Sequence, residues 1–169
     1  MKSRDENRER WLSLYVENSV GVLAKIMGLL AGKLYNVTSI TAGETEDPSL
    51  SRITIVLMSD DRTLEQVTKQ LHRFVEVIKV VDLTDTSFHK LEILFLKVMT
   101  ESEADIDEVF RLSETFGLKV IDYNRNRVIV RSVTTMKKNN EMARRFMRHF
   151  PNRVELVRGG TVAMEALVD

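Results

Sequence analysis

The residues that offer binding chemistry in this chain sit at one loop, Val16-Glu17-Asn18-Ser19-Val20-Gly21-Val22-Leu23. A polar loop with Asn18 and Gly21 feeds a helix that begins near Val22. Unsatisfied N–H groups at a helix start attract a carboxylate. Glycine at 21 lets a ligand or a neighbouring chain approach the backbone closely. The same spacing is equally good loop-and-cap chemistry, so the motif alone leaves both readings open.

Covalent chemistry has less support. The chain has no Cys, which excludes thiolate nucleophiles, thiolate zinc sites, iron–sulfur ligation and disulfides. Three scattered histidines, His72, His89 and His149, leave little for a metal site, and none is expected. Glu101, Glu103, Asp105, Asp107 and Glu108 crowd a helix start, where the helix dipole favours negative charge. No G-x-S-x-G, G-x-G-x-x-G or Walker loop is present, so no catalytic residue is assigned. With 25 basic and 25 acidic residues the net charge is zero, which argues against gross polyanion binding. A local basic excess remains: Lys137, Lys138, Arg144, Arg145, Arg148, Arg153 and Arg158 against Glu141 and Glu155. No apolar run approaches the roughly 18 residues that span a membrane. The charged start MKSRDENRER lacks the apolar segment of a signal peptide. A cytoplasmic protein with no membrane and no nucleic-acid partner is therefore expected.

The elements that carry these residues follow from periodicity. Residues 1–10 read as a charged tail. Leu12, Leu14 and Val16 alternate with Trp11, Ser13 and Tyr15, which is strand spacing. Leu23, Ile26, Met27, Leu30 and Leu34 then form one helical stripe, with Asn18 or Ser19 as its expected cap. Asn36–Thr45 and Ser51–Met58 read as hairpin-paired strands around the turn Glu46-Asp47-Pro48-Ser49. Leu64, Val67, Leu71 and Phe74 mark a second helix, and Val75–Leu83 a fourth strand.

The pattern then repeats. Leu91–Met99 is a strand. A helix capped by Ser102 carries Ile106, Val109, Phe110, Ser113 and Phe116 and stops at Gly117. Leu118–Tyr123 and Arg127–Val133 form a hairpin. A last helix, capped by Thr134 or Thr135, carries Met136, Ala143, Phe146, Met147 and Phe150. Val154–Arg158 and Thr161–Met164 read as strand broken by Gly159-Gly160. The expectation is an α+β fold of two ferredoxin-like βαββαβ domains, at residues 11–84 and 85–169. Each has an antiparallel sheet with two helices on one face. Sheets with one face and an edge uncovered predict homodimerisation.

Strand, N-x-x-G-V-L, helix and the βαββαβ order resemble the ACT domain, a regulatory amino-acid-binding module. The stretch ENSVGVLAKIMGLLAGKLYNVTSITAGETEDPSLSRITIVL resembles the small regulatory subunits of acetolactate synthase. Leu34-Tyr35-Asn36-Val37-Thr38-Ser39-Ile40 and the tract from Thr45 to Thr54 are its most distinctive parts. Val20 and Leu34 depart from the family's usual pattern. The resemblance implies a chain without an active site or cofactor of its own. It implies binding to a large catalytic subunit that carries thiamine diphosphate, FAD and magnesium. It also implies activation of that subunit and feedback inhibition by valine in branched-chain amino-acid biosynthesis. Valine would lie between two ACT domains of a homodimer. Asn18, Gly21, Val22 and Leu23 would face it from one chain, and Asn36 and Val37 from the other. Two competing readings are an acylphosphatase-like hydrolase and a nucleic-acid binder using the basic last helix.

Overall fold

The computed structural model describes residues 7–33 and 35–167. Its elements run β1 (Arg8–Glu17), α1 (Val22–Gly32), β2 (Asn36–Glu44), β3 (Leu50–Ser59), α2 (Asp61–Leu71) and β4 (Val77–Asp82). They continue with β5 (Phe88–Met99), α3 (Glu103–Phe116), β6 (Lys119–Asn124), β7 (Arg127–Thr134), α4 (Met136–His149) and β8 (Val154–Glu165). Two four-stranded sheets result, ordered β2-β3-β1-β4 and β6-β7-β5-β8. The chain divides into two compact units. One runs to His89 and takes back the residues from Ala163; the other is Lys90–Val162.

In the first unit, β1 is central, antiparallel to both β3 and β4. Its alternation sends Leu12, Leu14 and Val16 into a core with Ile53, Ile55 and Leu57 from β3. Val22, Ile26 and Leu30 of α1 and Leu64, Val67 and Leu71 of α2 close that core. Each such side chain, fully buried, contributes about 1.5–3 kcal/mol. On the opposite sheet face, Trp11 and Val56 are buried with Leu83 and Ala163. The C-terminal residues therefore cover part of the face that helices leave bare.

Several expectations need correction. The expected tail is shorter at its C-terminal end, because Arg8–Arg10 already pair with β3; residues 1–6 lie outside the described residues. Arg10 is 2% exposed. It donates to the Ser59 carbonyl and to Asp61, which satisfies a buried guanidinium that patterning would place outside. The division between the units falls after His89, and the residues from Ala163 group with the first unit. Leu34, assigned to the α1 stripe, lies outside the described residues.

In the second unit, Leu94, Leu96 and Val98 face Val109, Leu112, Met142, Ala143, Phe146 and Phe150. The α3 stripe is rotated from expectation: Leu112 is buried, whereas Phe110 and Phe116 are partly exposed. The Phe110 ring instead meets Tyr123 edge-on at 5.5 Å. Met147 of α4 is likewise exposed. Gly159-Gly160 does not break β8, which is one strand of 12 residues. A Cβ at Gly159 would lie 2.4 Å from Ile93 Cγ2, so glycine there permits close strand packing.

A buried polar cluster lies among these apolar layers. Glu92, 2% exposed, accepts from Asn139 at 2.9 Å and from Arg158 at 3.1 Å. Asn139 in turn accepts from the Ser132 hydroxyl at 2.7 Å. Removing one partner strands a buried charge. Arg158→Met should therefore lower unfolding free energy by about 3 kcal/mol in urea titrations. Adding Glu92→Gln, which still accepts from Asn139, should recover part of the loss.

A second contact predicts acid sensitivity. The Glu101 N–H and then Arg153, at 2.6 Å, hold the Asp105 carboxyl below its ordinary value of 3.8. A carboxyl depressed by folding stabilises the fold above its unfolded pKa, and loses that contribution as pH falls through its folded pKa. The stability gap between wild type and Asp105→Asn should thus close progressively below about pH 4. Calorimetric melts across that range measure it.

Candidate functional site

α1 begins differently from the other described helices. Asp60, Ser102 and Thr135 each accept, through their side chains, from the amide three residues on, capping α2, α3 and α4. The residue before α1 is Gly21, with φ 90° and ψ −11°, and no side chain caps the helix. Neither Asn18 nor Ser19 fills the role expected of them. The first turn also holds no acidic residue. The positive end of the helix dipole is thus left to whatever occupies the space in front of it.

That space is a hollow of about 270 Å³ between the β1–α1 loop and the end of the β2–β3 hairpin. Val16, Val22, Leu23, Ala42 and Ile53 supply apolar wall. Asn18, Ser19, Glu44 and Ser51 supply polar groups. Val22 and Ile53 are buried core residues and Leu23 is exposed, so the wall is fixed at its base and open at its rim.

Asn18 does not reach freely into this hollow. Its amide donates to Glu44 Oε1 at 3.1 Å and to the Pro48 carbonyl at 3.0 Å. Its Oδ1 accepts from the Ser51 hydroxyl at 3.0 Å, and its backbone N–H donates to the Ser49 carbonyl at 2.7 Å. Asn18 therefore clamps the loop onto the hairpin and orients Glu44. Sequence reasoning passed over Glu44 and Ser51. They face each other across the hairpin, a register that only the β2–β3 pairing reveals.

Of the predicted residues, the structure brings Asn18, Val22 and Leu23 to the hollow, with Gly21 at the helix start. It does not bring Asn36 and Val37 there within one chain. They pair with Met58 and Leu57 at the beginning of β2, whereas Ala42–Glu44 at its end line the hollow. Eight residue steps, roughly 26 Å at strand rise, separate Asn36 from Glu44.

The competing chemistries lack geometry. Arg52, the arginine an acyl-phosphate cradle would need, lies on the opposite sheet face. Its Nε donates to Ser13 at 2.8 Å and its guanidinium sits 5.2 Å from the centre of the Tyr15 ring. Trp11 is buried under Leu83 and Ala163, so it offers no stacking platform. Among the described residues no group of three or more His, Asp or Glu could hold a metal ion. No histidine is expected to have a carboxylate three or four residues on in a ligand pattern, yet His72 has Glu76 four on and His89 has Glu92 three on; both carboxylates are engaged elsewhere. Lys25 engages Glu76, and Asn139 and Arg158 engage Glu92. No described helix is long and apolar enough to cross a membrane.

A Cβ at Gly21 would meet nothing within 4 Å, so substitution there tests backbone strain alone. Gly21→Ala should cost about 1–2 kcal/mol of stability. Gly21→Asn should cost less, since Asn tolerates positive φ. Urea unfolding of the two variants measures the difference.

Comparison with known proteins agrees across both units. The family of AHAS small subunit-like ACT domains matches residues 12–79, and the family described as the small subunit of acetolactate synthase matches residues 91–166. The acetolactate synthase small subunit of Aquifex aeolicus is 38% identical, over 93% of this chain and 81% of that protein. The small subunit of acetolactate synthase isozyme 3 from Escherichia coli K12 is 34% identical, over 92% of this chain and 94% of that protein. The crystal structure of the Thermotoga maritima acetolactate synthase small subunit superposes with a TM-score of 0.86 at 34% identity, covering 96% of this chain and 99% of that one. With both units matched in order and the fold shared over 96% of its length, the chain belongs to the family of acetolactate synthase small subunits.

Proposed function

We propose that this chain is the regulatory partner of an acetolactate synthase large subunit, raising its activity and conferring feedback inhibition by valine. The observation that carries this reading is the start of α1: a helix with no side-chain cap, entered through Gly21, opening on a hollow with apolar walls. The first-turn amides of α1 hold the carboxylate of the amino acid. Glu44, oriented by Asn18, receives the ammonium group. Val22 and Leu23 contact the isopropyl group, whose burial is worth roughly 1.5–3 kcal/mol. Thiamine diphosphate, FAD and magnesium belong to the large subunit in this reading.

The position of Asn36 and Val37 supports a site shared between two copies. β2 lies at the edge of its sheet. Antiparallel pairing of two β2 edges about a two-fold axis places the beginning of one strand beside the end of the other. Asn36 and Val37 of a second copy then stand next to Ala42–Glu44 of the first. An effector at that junction acts on the large subunit through its differential affinity for two arrangements of the dimer.

Two measurements test the proposal. Calorimetric titration of the chain should show valine binding, with leucine and isoleucine as comparisons. The large subunit should form acetolactate faster with the chain present, and valine should reverse that gain. No heat with any of the three amino acids removes the effector half of the reading. Equal large-subunit activity with and without the chain removes the regulatory half.

A further inference from the structure

The second unit carries a charged surface that the effector site does not use. Of the seven cationic residues near the C-terminus, two are consumed internally. Arg153 pairs with Asp105 at 2.6 Å and Glu101 at 3.3 Å, and Arg158 with the buried Glu92. The other five, Lys137, Lys138, Arg144, Arg145 and Arg148, fall on α4. None of their side chains forms an ion pair with a described residue. The opposite side of α4 is committed to the core through Asn139, Met142, Ala143 and Phe146. Glu141 is the one carboxylate within the basic stripe, which spans about 16 Å along the helix.

The helix dipole accounts for only part of this. It favours Arg148 and His149 in the last turn. It disfavours Lys137 and Lys138 in the first turn, where no acidic residue offsets them. Cations kept where they oppose helix stability point to a use outside the fold. Beside them, Arg144, Arg145 and Arg148 line a hollow of about 300 Å³ with Phe116 at the end of α3 and with Glu141, so cations outnumber the one carboxylate there three to one. Three forked donors and an aromatic wall suit carboxylates carried beside an apolar side chain.

We infer that the outer face of α4, with Phe116, is a docking surface for an acidic protein patch, and that this patch lies on the large catalytic subunit. The inference rests on the proposed function for the identity of that partner. Charge distribution favours a protein over nucleic acid. α3 lies against α4, with Glu108 3.3 Å from His149, and exposes Glu103, Asp107 and Glu114. A phosphate backbone running past the basic stripe would meet this acidic one. A protein surface of limited extent need not.

The test is assembly of the full-length chain with the purified large subunit, followed by ultracentrifugation between about 0.05 and 0.5 M salt. Wild type should assemble more weakly as salt rises. The triple variant Arg144→Glu, Arg145→Glu, Arg148→Glu should weaken assembly by about a hundredfold at low salt, and flatten the salt dependence. Lys137→Glu with Lys138→Glu should weaken assembly while raising the melting temperature, a pairing that damage to the fold cannot produce. Failure of wild type to assemble at any salt overturns the proposed partner itself. Assembly of wild type and triple variant with equal affinity overturns only this surface. So does binding of single-stranded RNA that the triple variant loses while assembly stays intact.

Discussion

The whole first unit depends on one strand with two different faces. β1 is bonded on both edges and alternates strictly, so one set of side chains must meet helices and the other must meet something else. Leu12, Leu14 and Val16 settle the first face. On the second, Trp11 is covered by Leu83 and Ala163, while Ser13 and Tyr15 are held by Arg52. A register slip of one residue would exchange these environments and bury Ser13 and Tyr15 among aliphatic groups. The loop after Val16 inherits its direction from this register, and so does the start of α1.

Given that direction, a single backbone choice makes the candidate site. A left-handed turn at Gly21 lets the chain enter α1 without a capping side chain, so Asn18 is free to bond elsewhere. It spends its polar atoms on the β2–β3 hairpin, joining two segments some 30 residues apart in sequence. The edge strand β2 and the helix start are thereby mechanically linked. An occupant of the hollow would touch both, which is the connection that regulation through an edge requires.

Much of this was legible in the sequence, and the failures share a cause. Alternation in β1 and β3 and the stripe of α2 placed their core residues, because those patterns record burial directly, whereas the α1 stripe found Ile26 and Leu30 but took exposed Leu23 in place of buried Val22. The caps at Ser102 and Thr135 and the stop at Gly117 were readable because their chemistry is local. What local pattern did not carry was which partner a residue finds at long range. Asn18 looked like a cap but bonds a distant hairpin. Phe110 looked like core but meets Tyr123 across the layer edge. Arg10 looked like tail but is buried against Ser59 and Asp61. Glu44 gave no sign of its place at the hollow. Asn36 and Val37 came from family resemblance alone, and one chain by itself keeps them at the far end of β2.

The burial of Trp11 has a practical corollary for spectroscopy. It is the only indole in the chain, and it is 4% exposed, with its ring 5.3 Å from that of Phe88. Phe88 and Ala163 belong to the same unit as Trp11, so the chromophore senses how the returning C-terminal residues are seated. Its emission therefore reports on the packing of that unit. Circular dichroism draws on the helices and strands of both units. A denaturation curve recorded by fluorescence therefore describes one unit, and only its coincidence with the dichroism curve would license a single two-state treatment of the chain.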